Sequence, residues 1–259
     1  MKGHSNERLF DAVIVYHGAT RYKFTRPNRS TNQLINYLAI AMRMYEDSYR
    51  HKGLRKKLVD LIREKGITDE RVLDAIAAIP RHFFLDSAFD EVAYEDRAFP
   101  IDVDQTISQP YTVAYQTQLL EVKPFERILE IGTGSAYQCS VLAEMGAQVF
   151  TIERQKQLFD NNRKFGYIKK YTSIKFFYGD GFEGLPTYAP FDKVIITAAA
   201  PFIPPKLIAQ LKTGGKMVIP LGDGPLQKML RLTKLADGTT KEEQFANFSF
   251  VDMLPGKEK

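Results

Sequence analysis

Ile128-Leu-Glu-Ile-Gly-Thr-Gly-Ser-Ala-Tyr137 decides the fold. Ile128, Leu129 and Ile131 form an apolar run that reads as a strand, and the run stops at Gly132, where the chain must turn before a helical segment begins. Gly132 and Gly134 allow backbone conformations closed to other residues and let a ligand approach the main chain closely. A Gly-x-Gly pair alone is shared by many nucleotide folds. The nicotinamide fingerprint wants a third glycine where this chain has Tyr137. Glu130, just before the turn, suits a ligand with a cationic amino-acid end better than a pyrophosphate.

Outward from this strand, short apolar runs at 127–131, 148–152, 174–178, 193–197 and 216–221 alternate with helical spacing. Such alternation predicts an α/β protein with a doubly wound, mostly parallel, Rossmann-like sheet covered by helices on both faces. Runs at 229–235 and 245–253 flank Asp237-Gly238 and predict an antiparallel hairpin at one edge. Upstream, Leu54, Leu58, Leu61 and Ile62 predict a helix ended at Gly66, and Thr68 can cap a second helix that Pro80 closes. Residues 81–112 are loop-rich, with scattered aromatics, and read as a cover.

The strand ends carry the chemistry. Glu153 ends the second strand, where an acid can accept hydrogen bonds from both hydroxyls of a ribose. A solvated carboxylate paired with Arg154 is the alternative. Asp180-Gly181 ends the third strand and can face the exocyclic amine of an adenine, or be a plain turn. Three successive strand ends aimed at one point fit adenosine attached to an amino acid. Gln105-Thr-Ile-Ser-Gln-Pro110 offers hydroxyls and an amide beside that place, and Thr197-Ala-Ala-Ala-Pro-Phe202 is small and almost wholly apolar.

Composition narrows the classes. The chain has 259 residues, 44% of them hydrophobic, which is enough for one large domain with a short appendage. Residues 1–53 hold nine of its 36 Lys and Arg and four of its 31 Asp and Glu, so 54–259 carries 27 of each and is formally neutral. That body gives no support for a phosphate-tracking surface, and no nucleic-acid partner is expected. No uncharged apolar run reaches membrane-spanning length, the most apolar early stretch being 34–42, and no secretory signal is recognisable. With a single cysteine, Cys139, reading as a small buried hydrophobe, a cytoplasmic protein without a membrane partner is expected. His4, His17, His51 and His82 show no ligand spacing, so no metal is expected. Residues 1–53 form a basic extension with a strand-like run at 12–16; Met42 and Met44 allow an internal start, and a genuine basic arm is the other reading. The main domain is placed at 54–259.

With these residues quoted, residues 54–254 resemble the protein-L-isoaspartate O-methyltransferase family. The matching stretches are Thr68-Asp-Glu-Arg-Val-Leu, Pro80-Arg-His-Phe-Phe-Leu85, Ala93-Tyr-Glu-Asp-Arg97, Gln105-Thr-Ile-Ser-Gln-Pro110, Leu129-Glu-Ile-Gly-Thr-Gly-Ser135, Thr197-Ala-Ala-Ala-Pro201 and residues 214–222. The resemblance implies an S-adenosylmethionine-dependent carboxyl methyltransferase that repairs isoaspartyl-containing proteins and peptides; the sequence does not reveal its oligomeric state, and a monomer is the default expectation. It implies Ser108 as the active-site serine, with Thr106, Ile107, Gln109, Ala199 and Ala200 on the substrate side. The donor contacts it implies are Gly132, Thr133, Gly134, Ser135, Glu153, Asp180, Gly181 and Gln227. A carboxylate is already an anionic nucleophile, so a site without a poised base suffices for methyl ester formation. A methyltransferase for RNA or a small molecule, or a non-catalytic donor- or peptide-binding module, are the alternatives. Two departures stand out: Ala136 replaces a usual glycine, and Asp102-Val-Asp104 replaces a usual Gly-x-Gly. Alanine there is expected to cost little unless its backbone angle is positive.

Overall fold

The computed structural model describes residues 12–17, 20–25 and 46–258. The chain divides into two compact units, Met1–Glu46 and Asp47–Lys259. In the first, β1 (Ala12–His17) pairs antiparallel with β2 (Thr20–Thr25). The apolar stretch 34–42 and the methionines at 42 and 44 lie outside the described residues.

In the second unit, a two-stranded ribbon of β3 (Phe99–Pro100) and β4 (Thr106–Ile107) precedes the main sheet. That sheet comprises β5 (Arg127–Ile131), β6 (Gln148–Glu153), β7 (Ile174–Tyr178), β8 (Phe191–Ile196), β9 (Leu211–Leu221), β10 (Gln227–Lys234) and β11 (Thr240–Phe248). Their order is β11-β10-β9-β8-β5-β6-β7, with β9-β8-β5-β6-β7 parallel and the last two strands antiparallel. The chain lays down β5, β6 and β7 in one direction, then returns to the other side of β5 for β8. The strand order therefore reverses between β5 and β8, where a crevice opens at the carboxyl ends.

Alternation along the strands splits the core into two layers. Ile128, Val149, Ile195 and Val218 face the layer shared with helices Tyr49–Glu64, Glu70–Ala78, Pro110–Leu120 and Tyr137–Glu144. Leu129, Ile131, Ile152 and Ile196 face the opposite layer, closed by Leu207 of the short helix Pro205–Ala209. Ile62 and Ile76 are fully buried, and truncating either to alanine costs roughly 2–5 kcal/mol.

Three boundaries differ from the sequence reading for local reasons. The first helix begins at Tyr49, ahead of Leu54, because Ser48 caps it by accepting the His51 N–H at 3.3 Å. Its opening turn is polar, so apolar spacing missed it. β9 starts at Leu211, before the expected 216, and carries Gly214 and Gly215 across a register shift opposite β8. The expected strand at 245–253 is instead Thr240–Phe248, an edge strand with mostly exposed side chains and hence weak alternation. The chain beyond it leaves the sheet and crosses the strand ends, bridging Asp252 to Ala199 and Glu258 to Gln155.

Candidate active site

One side of the crevice is the turn after β5. Gly132 sits at φ +93°, and a Cβ there would lie 2.6 Å from the Thr197 hydroxyl oxygen, so only glycine fits. Thr197 closes β8 and donates its hydroxyl to the carbonyls of Ile131 (3.0 Å) and Gly132 (2.7 Å). The Gly134 N–H donates to Glu153 Oε2 at 2.8 Å, and the Gln155 N–H to Glu153 Oε1 at 2.8 Å. The Glu153 carboxyl is nearly buried, and desolvation raises its pKa even though these N–H bonds pull it down. Asn162 completes the brace by donating to the Gly134 carbonyl at 2.9 Å. Ala136 departs from the expectation: its φ is +67°, a left-handed conformation, so alanine is strained at the start of helix Tyr137–Glu144.

The other side is built by β3 and β4. The Gln105 N–H donates to the Asp102 carbonyl at 3.3 Å, closing a tight turn whose central residues, Val103 (φ 53°) and Asp104 (φ 55°), are both left-handed. Of the two positions where the family usually has glycine, Asp104 is left-handed and Asp102 is not, and the β-branched Val103 between them is left-handed as well. Asp102 Oδ2 accepts from Asn161 Nδ2 at 3.0 Å, tying this turn to the helix after Glu153. Ser108 follows β4. The segment after it is anchored on Asp96, whose carboxylate accepts the Tyr111 N–H (2.8 Å) and Gln109 Nε2 (3.1 Å) and pairs with Lys65 (2.6 Å).

Thr106, Ile107 and Ser108 face Gly132, Thr133, Gly134, Ser135, Glu153 and Gly181 across a single cavity. Thr106, Ser108 and Gln109 also line an adjoining open groove. The other predicted positions sit behind this surface. Asp180 lies two residues beyond β7, but its Oδ1 accepts the Phe182 N–H and its Oδ2 the Gly256 N–H (2.7 Å), so it fastens the C-terminal crossing segment. Ala199 and Ala200 are buried, Ala199 exchanging backbone bonds with Val251 and Met253, and their neighbours Thr197 and Ala198 line the cavity. Gln227 is 1% exposed; its Oε1 accepts the Phe250 N–H at 2.9 Å and so positions a wall of the groove.

Glu130 does not reach the cavity. It is fully buried beneath the turn, and desolvation raises its pKa to about 8 against the opposing pull of the Thr151 hydroxyl and Cys139 thiol beside it. The residues that sequence reasoning missed are Val251, Asp252, Met253 and Leu254, which line the cavity from the crossing segment. Only the mismatch between apolar alternation and polar residues at 240–244 could have signalled that the last strand ends early.

Asp47, His51 and His82, assigned no role from sequence, come within 4.8 Å of one another. Arg55 grips Asp47 with two nitrogens (2.9 and 2.8 Å) and also donates to the Tyr94 hydroxyl, which bonds His82 Nδ1 at 2.7 Å. A guanidinium on the carboxylate opposes a cation there, and the group reads as a buried polar network.

Comparison with known proteins agrees with this geometry. The family model described as protein-L-isoaspartate(D-aspartate) O-methyltransferase matches residues 53–258. A protein-L-isoaspartate O-methyltransferase of Cytophaga hutchinsonii is 56% identical over 209 residues, covering 81% of this chain and 94% of that protein. One of Christiangramia forsetii is 51% identical over 216 residues, covering 82% and 99%. The crystal structure of a putative protein-L-isoaspartate O-methyltransferase from Plasmodium falciparum, in complex with S-adenosyl-L-homocysteine, superposes with a TM-score of 0.67 at 23% identity, covering 77% of this chain and 98% of that one, and shares its fold. The chain belongs to the protein-L-isoaspartate O-methyltransferase family.

Proposed function

We propose that this chain transfers a methyl group from S-adenosylmethionine to the α-carboxylate of L-isoaspartyl residues in damaged proteins and peptides, with Ser108 holding the acceptor. The observation that carries the assignment of Ser108 is its placement, with Thr106 and Ile107, on the same cavity as the Gly132–Ser135 turn and Glu153.

The residues present fit the donor. Gly132 leaves no room for a side chain, so main chain borders the cavity, and Glu153 retains lone pairs on both oxygens after binding two N–H groups. Gly132, Thr133, Gly134 and Ser135 would hold the amino-acid part, and Glu153 the ribose. Asp180 and Gly181 would serve the adenine end. When bound, S-adenosylmethionine would supply a sulfonium-activated methyl group, whose bond to sulfur breaks as the acceptor carboxylate oxygen bonds the methyl carbon, S-adenosylhomocysteine being the leaving group.

Ser108 contributes a neutral hydroxyl, which suits a step in which anion and cation neutralise each other; a tight cationic grip on the carboxylate would favour the ground state. Thr106, Ile107 and Gln109 shape the entrance, and Gln227 acts through Phe250. No group has to accept a proton, because the acceptor is already ionised. Proximity is then the main catalytic resource, on the order of 7–11 kcal/mol in favourable cases.

Cys139 is buried without a partner cysteine, which fits a reducing, cytoplasmic setting. No helix among the described residues is long and apolar enough to cross a membrane. We place the methyltransferase domain at 54–259, supported by the family match over 53–258. The test is methyl transfer to an isoaspartyl peptide by the wild-type chain beside Ser108→Ala, the variant turning over more slowly with unchanged donor binding.

A further inference from the structure

Arg81 opens the 3-10 turn Arg81–Phe84 and is completely buried. Its Nη2 donates to the Ser108 carbonyl at 2.9 Å and, more weakly, to the Arg97 carbonyl at 3.4 Å. Its guanidinium carbon lies over the Tyr137 ring, 4.9 Å from the centroid. Tyr137 is the first residue of the helix that leaves the donor turn, and it lines the same cavity as Ser108. Arg97 lines the adjoining groove. One side chain therefore touches three walls of the site: the donor turn, the acceptor loop and the groove.

Burial opposes the charge on Arg81; the Tyr137 hydroxyl and the Asp96 carboxylate favour it, but neither is an ion-pair partner in contact with it. Arg81 Nε and Nη1 have no hydrogen-bond acceptor among the described residues, and no ion pair is formed. Such donors are expensive to bury, and an apolar side chain would fill the space without that cost. What it would lose is the grip on the Ser108 main chain. A planar fork stacked on an aromatic face has its orientation fixed from two directions, which the single nitrogen of a lysine cannot match.

We infer that Arg81 is a positioning residue for methyl transfer, locking the Ser108 loop to the donor turn through the Tyr137 ring and placing a fixed positive charge behind the spot where the anionic acceptor arrives. The inference rests on the reading of Ser108 as the acceptor-holding residue. The guanidinium does not touch the reacting atoms. Its fork sets where Ser108 stands relative to the donor, and its charge offsets the loss of hydration of the incoming carboxylate. The fork therefore governs turnover, and the charge governs apparent substrate affinity.

The experiment measures kcat and KM for an isoaspartyl peptide, S-adenosylmethionine affinity by calorimetry and thermal unfolding, for the full wild-type chain, Arg81→Met and Arg81→Lys. Arg81→Met is expected to lower kcat by roughly 10- to 100-fold, as misplacement of reacting groups does, and to raise KM, with donor affinity kept. Arg81→Lys restores KM and leaves kcat low. A folded Arg81→Met with wild-type kcat and KM overturns the inference, as does an Arg81→Lys with wild-type kcat should Arg81→Met not fold. A wild-type chain that transfers no methyl overturns the functional reading itself, and this inference with it, before any substitution is compared.

Discussion

The Glu153 carboxylate accepts the backbone N–H of Gly134 at 2.8 Å, across a separation of 19 residues, so the end of β6 fixes the glycine turn after β5. The carboxyl thus shapes the donor bed that it is proposed to complete. Glu153→Ala removes both this brace and the ribose contact. We expect a dissociation constant for S-adenosylmethionine raised about 10- to 100-fold, the value of a hydrogen bond to a charged group. Calorimetry on the folded variant checks this; an unchanged constant would remove Glu153 from donor binding.

Ser108 stands across the cavity from that turn. Ser108→Ala should lower kcat/KM for an isoaspartyl peptide by about 10-fold or more while leaving donor affinity alone, since the hydroxyl is proposed to meet only the acceptor. Steady-state kinetics beside donor titration separates the two. Equal turnover in the variant would take the serine out of the mechanism.

Val103 and Asp104 occupy left-handed conformations at the tip of the β3–β4 ribbon. A β-branched residue there is strained, and Val103→Gly should raise stability by about 1 kcal/mol, the relief exceeding the extra freedom given to the unfolded chain. For a domain of this size that is a rise in melting temperature of roughly 2–4 °C. Thermal unfolding showing a fall instead would mean that the valine side chain's packing outweighs the strain.

Glu130 supplies a pH signature. Burial lifts its folded pKa from 4.5 to about 8, so between these values the native state holds a proton that the unfolded chain gives up. The associated stability is full below the unfolded pKa and is lost as pH rises toward 8, at up to about 1.4 kcal/mol per pH unit. Glu130→Gln keeps the neutral shape and should flatten that slope. Denaturant unfolding across this range checks it, and parallel slopes for both proteins would show that Glu130 is ionised in the native state.

Strands β5, β6 and β8 were legible because both their faces are largely buried and their runs are mainly apolar, and β7, though a half-buried edge strand, keeps Ile174, Phe176, Phe177 and Tyr178. Gly132 was legible because its turn leaves no room for a Cβ, Gly134 because its φ of +52° favours glycine, and Glu153 because an acid stands out at the end of an apolar strand. β11 was not, because an exposed edge strand is free to be polar. Neither was the wall at Val251, Asp252, Met253 and Leu254, whose place is set by backbone bonds to Ala199 that leave no trace in residue type. Arg81 was visible only as part of a family-like stretch, since burial of a cation cannot be inferred from its neighbours in sequence. The strain at Ala136 was equally hidden: alanine at a helix start looks innocuous until its φ of +67° is seen.

The most direct test of the central claim is transfer of radiolabelled methyl from S-adenosylmethionine to a short peptide containing isoaspartate, beside its twin with ordinary aspartate. Base-labile label on the isoaspartyl peptide alone is the expected result. Label on neither peptide, with the donor shown to bind, would contradict it.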